Sequence, residues 1–250
     1  MSINFKIVVP VYNAEAWIET CVRSIAAQVY KNFECIIIND ASTDNTGEIL
    51  KQIPYIQDDP RFHIQHNDQN VKALQNIVDG FNALGAKGDP ESVLMVVDGD
   101  DRFFSEYSLA LVSQAYEQTK CSLTYGNHIH YPDGASSNCE PIPQWVQEKN
   151  AFRLHKFVTS HLRTFKSKLW YNIKDEDLRD DDGTYYGVAW DVAFMMPMLE
   201  MARGKILFIP NVLYVYNRIN PLSDDAIRQD DQHRIEMIVR SKPKYDFIVE

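Results

Sequence analysis

Three carboxylates crowd the end of an apolar run in Val96-Val97-Asp98-Gly99-Asp100-Asp101. Like charges this close repel and raise one another's pKa unless a cation sits among them. Oxygen-only ligands suit Mn²⁺ or Mg²⁺, which take one or two carboxylates and complete their shell with water and substrate phosphates. The motif therefore points to a metal site that would hold a nucleotide diphosphate. The structural alternative is an acidic turn in which Asp101 caps a helix.

Two further residues carry chemistry in the same sense. Asp40 follows the run Ile36-Ile37-Ile38-Asn39, and a carboxylate there can accept the N3–H of uracil. Tyr12, after Pro10, offers a flat face on which a base can stack, a contact worth about 1–3 kcal/mol in other base–aromatic pairs. Plain packing for Tyr12 and a turn role for Asp40 are the alternatives.

These residues need elements that bring them together. Phe5 to Pro10 is a short apolar, β-branched run, followed by helical spacing at Trp17, Ile18, Cys21, Val22 and Ile25. The unit repeats: Phe33 to Asn39 reads as a buried strand, and Ser42-Thr43-Asp44 caps a helix containing Ile49 and Leu50. A third strand is predicted at Arg61 to Gln65, a helix at Val71 to Leu84, and a fourth strand at Ser92 to Val97. Strands without polar alternation, separated by helices, predict an α/β fold with a mostly parallel central sheet flanked by helices. Ligands of such sheets bind beyond the carboxyl ends of the strands, where Tyr12, Asp40 and Asp98 all fall.

Beyond Asp101 the pattern predicts a helix near Ser105 to Gln118 and a strand at Ser122 to Tyr125. A helix is predicted around Asp191 to Met201, short strands at Ile206 to Ile209 and Leu213 to Tyr216, and a polar C-terminal helix from about Ser223 to Arg240. No internal repeat or linker divides the 250 residues, so one domain is expected.

With 25 Lys and Arg against 35 Asp and Glu, the formal charge is −10, which excludes a general field for nucleic acid or anionic lipid. No stretch of about 18 apolar residues and no signal peptide is present, so neither an integral membrane segment nor export is expected. Cys21, Cys35, Cys121 and Cys139 lack any CxxC spacing and read as buried free thiols of a cytoplasmic protein.

In order and at these strand ends, Pro10-Val11-Tyr12-Asn13, Asn39-Asp40-Ala41-Ser42-Thr43-Asp44 and Asp98-Gly99-Asp100-Asp101 resemble the donor-binding half of family 2 glycosyltransferases, which have the GT-A nucleotide-diphospho-sugar transferase fold. The resemblance is strong over residues 5 to about 126 and continues to about 220. It implies a single GT-A domain over 1–250, with a nucleotide-sugar-binding half to about 126, an acceptor-binding half over 127–222 and a C-terminal helical extension over 223–250. It implies Tyr12 and Asp40 as uracil contacts, Asp98 as a ribose and metal-site contact, and Asp100 as the direct metal ligand, with Asp101 supporting the turn. Pro10, Gly99, Asn67 and Lys72 complete the donor-binding candidates. Glycine is common in the family where Asn70 stands, and Asn tolerates the left-handed backbone that such a glycine would adopt.

In Gly187-Val188-Ala189-Trp190-Asp191 the resemblance makes Asp191 the catalytic base, with Trp190 in place of the first acid of an acidic pair. Its bland alternative is a helix N-cap. His161 and Arg163, in Ser160-His161-Leu162-Arg163, are similar to acceptor-side segments of relatives. The late histidine that many GT-A enzymes give to the metal has no counterpart in Tyr214-Val215-Tyr216-Asn217-Arg218.

The expected activity is inverting transfer of a sugar from a UDP-sugar to a hydroxyl of a glycan or other acceptor. Its rivals are a nucleotide-sugar or glycan-binding module without turnover, and another metal-dependent nucleotide-handling transferase. A haloacid-dehalogenase phosphatase would place DxD after the first strand, where VPVYN stands. No Gly-rich nucleotidyltransferase loop, GxGxxG or P-loop is present.

Overall fold

The computed structural model describes residues 2–223 and 228–248. Eight strands form one sheet: β1 Phe5–Val11, β2 Phe33–Asn39, β3 Phe62–His66, β4 Val93–Val96, β5 Arg102–Phe103, β6 Leu123–Tyr131, β7 Arg163–Lys166 and β8 Ile206–Asn217. Their order is β3-β2-β1-β4-β7-β6-β8-β5. β3, β2, β1 and β4 are mutually parallel, while β7 runs antiparallel to both β4 and β6.

Alternation of side chains along each strand divides the chain between two cores. In β1, Val8 enters the core on one face, whereas Phe5, Ile7, Val9 and Val11 enter the other. In β2, Ile36 and Ile38 share a face with Val8, and Cys35 and Ile37 oppose them. The helix Ala73–Ala83 covers the first face through Leu74, Ile77 and Phe81, and the helix Ile18–Ala26 covers the second through Ile18, Cys21, Val22 and Ile25. A continuous apolar strand is the sequence signature of burial on both sides.

The helix Trp190–Met201 is buried all round from Val192 to Met201, which its unbroken run of apolar residues requires. Its one acid in that stretch, Glu200, is fully buried and pairs with the equally buried Arg153.

The structure differs from the sequence pattern, or goes beyond it, in three places. Arg163–Lys166 is a strand in the middle of the sheet, although a short RTFK run carries no strand periodicity. The two short strands expected near the C-terminus are one strand, β8, paired along the whole of β6 through irregularities at Asn127. The C-terminal helix begins at Gln229; its expected first turn includes residues 224–227, which lie outside the described residues. All four cysteines are free; Cys21, Cys35 and Cys121 are buried and Cys139 is half-buried. Among the described residues no helix is long and apolar enough to cross a membrane.

Candidate active site

The carboxyl ends of β1, β2 and β4 lie side by side because their registers align Val11 with Asn39 and Val8 with Val96. Tyr12, Asp40 and Asp98 thereby reach one edge of the sheet. They line a cleft of about 600 Å³ that also takes in Pro10, Lys72, Gly99, Asp100, His161, Arg163 and Asp191. Of the candidate residues only Asn67 does not line it.

The loop after β2 is fixed from both sides. Asn13 Oδ1 accepts from Thr43 N at 2.8 Å, and Ser42 Oγ accepts from Asn13 N at 3.0 Å. The buried Asp40 accepts three hydrogen bonds, each of 2.9 Å: Asn67 Nδ2 and Val71 N at Oδ1, and Lys72 N at Oδ2. Asn67 therefore acts from behind, holding Asp40 and Asn76. The left-handed backbone expected at Asn70 falls instead on Lys72, with φ of 76°, and Asn70 donates its side-chain amide to Asp40 O. Ala41, next to Asp40, and Ala189, in the cleft lining, also have positive φ. Such conformations cost about 1–3 kcal/mol for a non-glycine residue and persist where surrounding structure enforces them.

Tyr12 is among the exposed aromatics, with its ring open to the cleft. At Gly99 a Cβ would stand 2.6 Å from Val11 Cβ, so only glycine lets this turn lie against β1.

The acidic turn divides its work. Asp100, half-buried, accepts 2.7 Å from Asn220 Nδ2; burial raises its pKa, and the Asn220 bond opposes that. Asp101 is buried, and its Oδ1 accepts 2.7 Å from Asn217 N, which ties the turn to the end of β8. Its Oδ2 has no hydrogen-bond partner. Burial, then the charges of Asp100 and Asp98, push the Asp101 carboxyl well above the usual carboxylate range. Acidic groups in this condition invite a cation.

His161 brings a ring nitrogen within 3.9 Å of Asp98 Oδ2, and ligand atoms of Asp98, Asp101 and His161 lie within 4.8 Å of one another. The imidazole stacks on Tyr214 at 4.8 Å and is held neutral by burial, then by the Arg163 and His128 charges. Arg163 Nη2 sits 3.2 and 3.3 Å from its two ring nitrogens. A cation placed on His161 would face that guanidinium. The same guanidinium reaches Asp191 Oδ2 at 2.6 Å through Nη1.

Asp191 is not an N-cap. The cap position is Ala189, and Asp191 lies in the first helical turn with Oδ1 accepting from Val192 N at 2.9 Å. One wall of the cleft thus runs from Asp98 through His161 and Arg163 to Asp191.

The model of the family described as "Glycosyl transferase family 2" matches residues 6–174. The chain belongs to this family. Among family 2 relatives, glycosyltransferase GlyG of Streptococcus pneumoniae serotype 4 is 26% identical over 235 residues, spanning 87% of this chain and 72% of GlyG. GlyA of the same organism is 30% identical over 231 residues, 85% of this chain but only 30% of GlyA. The crystal structure of S. aureus TarS 1-349 in complex with UDP-GlcNAc matches with a TM-score of 0.65 at 14% identity, over 95% of this chain and 65% of that one. This likeness shows the GT-A fold. A mannosyltransferase from Pyrobaculum calidifontis, in complex with GDP-Man and Mn²⁺, matches with a TM-score of 0.53 at 16% identity over 86% of this chain.

Several lining residues were not candidates from the sequence: Asn76, Tyr216, Asn217, Asn220 and Arg228. Of these, Asn217 directly follows the apolar run that ends β8.

Proposed function

We propose that this family 2 glycosyltransferase moves a sugar from a UDP-sugar to an acceptor hydroxyl with inversion, using Asp191 as general base. The observation that carries this reading is the convergence of Tyr12, Asp40, Asp98, Asp100 and Asp191 on one cleft.

The preference for uracil rests on the lone pairs of Asp40. Oδ1 already accepts two hydrogen bonds, whereas Oδ2 accepts one and keeps a place for a single N–H. Uracil offers one such donor, N3–H. The guanine edge offers two side by side and would need both oxygens. Tyr12 supplies the stacking face at the same end of the cleft. TarS has been solved with UDP-GlcNAc and with UDP, which supports a uridine nucleotide, while the GDP-Man complex of the mannosyltransferase makes guanine the alternative to test.

The residues fit a divalent ion. Asp98 and Asp100 would hold it, and Mn²⁺ or Mg²⁺ there would stabilise negative charge on the departing diphosphate. The chain itself orients the nucleotide through Tyr12 and Asp40 and presents Asp191 to the incoming hydroxyl. The acceptor O–H proton passes to Asp191, the acceptor oxygen bonds the anomeric carbon, and the bond to the diphosphate breaks with its electron pair leaving on phosphate. Attack opposite the leaving group inverts the anomeric centre. Free, mostly buried thiols support action in a reducing compartment.

Calorimetry with UDP and GDP, each with Mn²⁺ or EDTA, tests the donor assignment. Metal-dependent UDP binding at least tenfold tighter than GDP binding is expected. Equal affinities would remove the uracil assignment, and binding indifferent to EDTA would remove the metal.

A further inference from the structure

We propose that Arg163 is the positioning residue of the transfer reaction, orienting the Asp191 carboxylate to receive the acceptor's proton. The proposal rests on the reading of Asp191 as the base. It changes the part expected of Arg163, which the sequence places among acceptor contacts.

Arg163 opens β7, whose backbone is fixed by pairing with β6 at Tyr125 and, from the next residue on, with β4. Its side chain is 5% exposed. A guanidinium so deeply placed is costly unless paired, and the carboxylate that meets it is Asp191, at 2.6 Å. Its plane also stands 5.7 Å from the Trp190 ring, and Nη2 rests against the neutral His161 imidazole. Trp190, where an acidic pair would carry its first acid, thus packs beside the cation and adds no second negative charge.

The geometry fixes both oxygens of Asp191. Oδ1 is held by Val192 N, and Oδ2 is held by Arg163, so the carboxylate plane cannot turn. The side chain nevertheless keeps 27% exposure, on the cleft. Each oxygen retains a lone pair beyond its bond, so the group is anchored and still able to accept a proton.

The other charged groups lining the cleft are Asp40 after β2, Lys72 at the start of the helix Ala73–Ala83, Asp98 and Asp100 after β4, and Arg228 and Glu236 from the C-terminal segment.

The test is the split between kcat and donor affinity in the full chain, with wild type, Arg163→Gln and Arg163→Lys compared. Arg163→Gln should lower kcat at least about tenfold with UDP affinity within about twofold. Arg163→Lys should also lower kcat, because an ammonium lacks the planar fork that meets Asp191 and His161 together. Wild-type kcat in Arg163→Gln, or a loss confined to UDP affinity, overturns the proposal. Should Arg163→Gln fail to fold, Arg163→Lys decides: wild-type kcat refutes orientation, and about a tenfold loss at unchanged donor KM supports it. Asp191→Asn separates the two layers. Retained transfer in that variant sinks the base itself, whereas lost transfer beside wild-type kcat in Arg163→Gln sinks only the role of Arg163.

Discussion

Glu200→Gln should destabilise this protein far more than its conservative chemistry suggests. Glu200 is fully buried near the end of the helix that begins at Asp191's turn, and it meets Arg153 through two bonds, Nε to Oε1 at 2.6 Å and Nη2 to Oε2 at 2.9 Å. Oε2 also accepts from Tyr245 N at 2.9 Å, and Arg153 Nη1 donates to the carbonyls of Val239 and Lys242. One ion pair thus ties three segments: the turn at Phe152–Leu154, the buried helix, and the C-terminal helix with its tail. Replacing the carboxylate by an amide leaves a buried guanidinium without countercharge, which costs about 3–5 kcal/mol. For a chain of this size that lowers the melting temperature by about 6–20 °C. Urea denaturation gives the free energy directly, and the double variant Arg153→Met/Glu200→Met should recover much of the loss because an apolar pair carries no stranded charge. A Glu200→Gln protein within about 1 kcal/mol of wild type would refute the reasoning, since the pair would then contribute no more than a surface bridge.

Two pH effects follow from the same structure. Burial lowers the His128 pKa from its ordinary 6.5 to about 4, opposed by its bond to His161 O, so the folded state favours neutral imidazole. Its contribution is complete above about 6.5 and is lost as pH falls through about 4, at most about 3 kcal/mol; His128→Phe should flatten stability in that window, and an unchanged pH slope would count against it. At the acidic turn, burial raises the Asp100 pKa, so protons would compete with an ion held there. The thermal stabilisation by Mn²⁺ should therefore shrink as pH falls, and a response indifferent to pH would contradict a site built on this carboxylate.

The strand ends that line the cleft were legible in the sequence because their determinants are local. Val8-Val9 and Ile36-Ile37-Ile38 announce doubly covered strands, and the residues just after such strands share one sheet edge by topology alone. Asp101 was also legible as a supporter of the turn, though its partner, Asn217, lies 116 residues away. The wall of the cleft from His161 to Asp191 depends on long-range pairings that no period records. Arg163–Lys166 looks like a polar stretch, yet it is central because β4 and β6 flank it. The Arg163–Asp191 contact joins residues 28 apart on a strand and a helix, so neither sequence neighbourhood suggests it. Likewise, Asp40 reads as a ligand contact from its strand end, but its three internal hydrogen bonds emerge only when the loop before Ala73 folds over it.

The most direct test of the central claim measures sugar transfer and UDP affinity on one preparation of Asp191→Asn, below its melting temperature. The amide oxygen can still accept one bond from Arg163 or Val192, so the fold and the donor cleft should persist, with UDP affinity near wild type. Transfer should fall by about 10²–10⁴-fold, the contribution of a positioned general base. Transfer close to wild type at unchanged UDP affinity would contradict the account, leaving Asp191 as nothing more than the partner of a buried arginine.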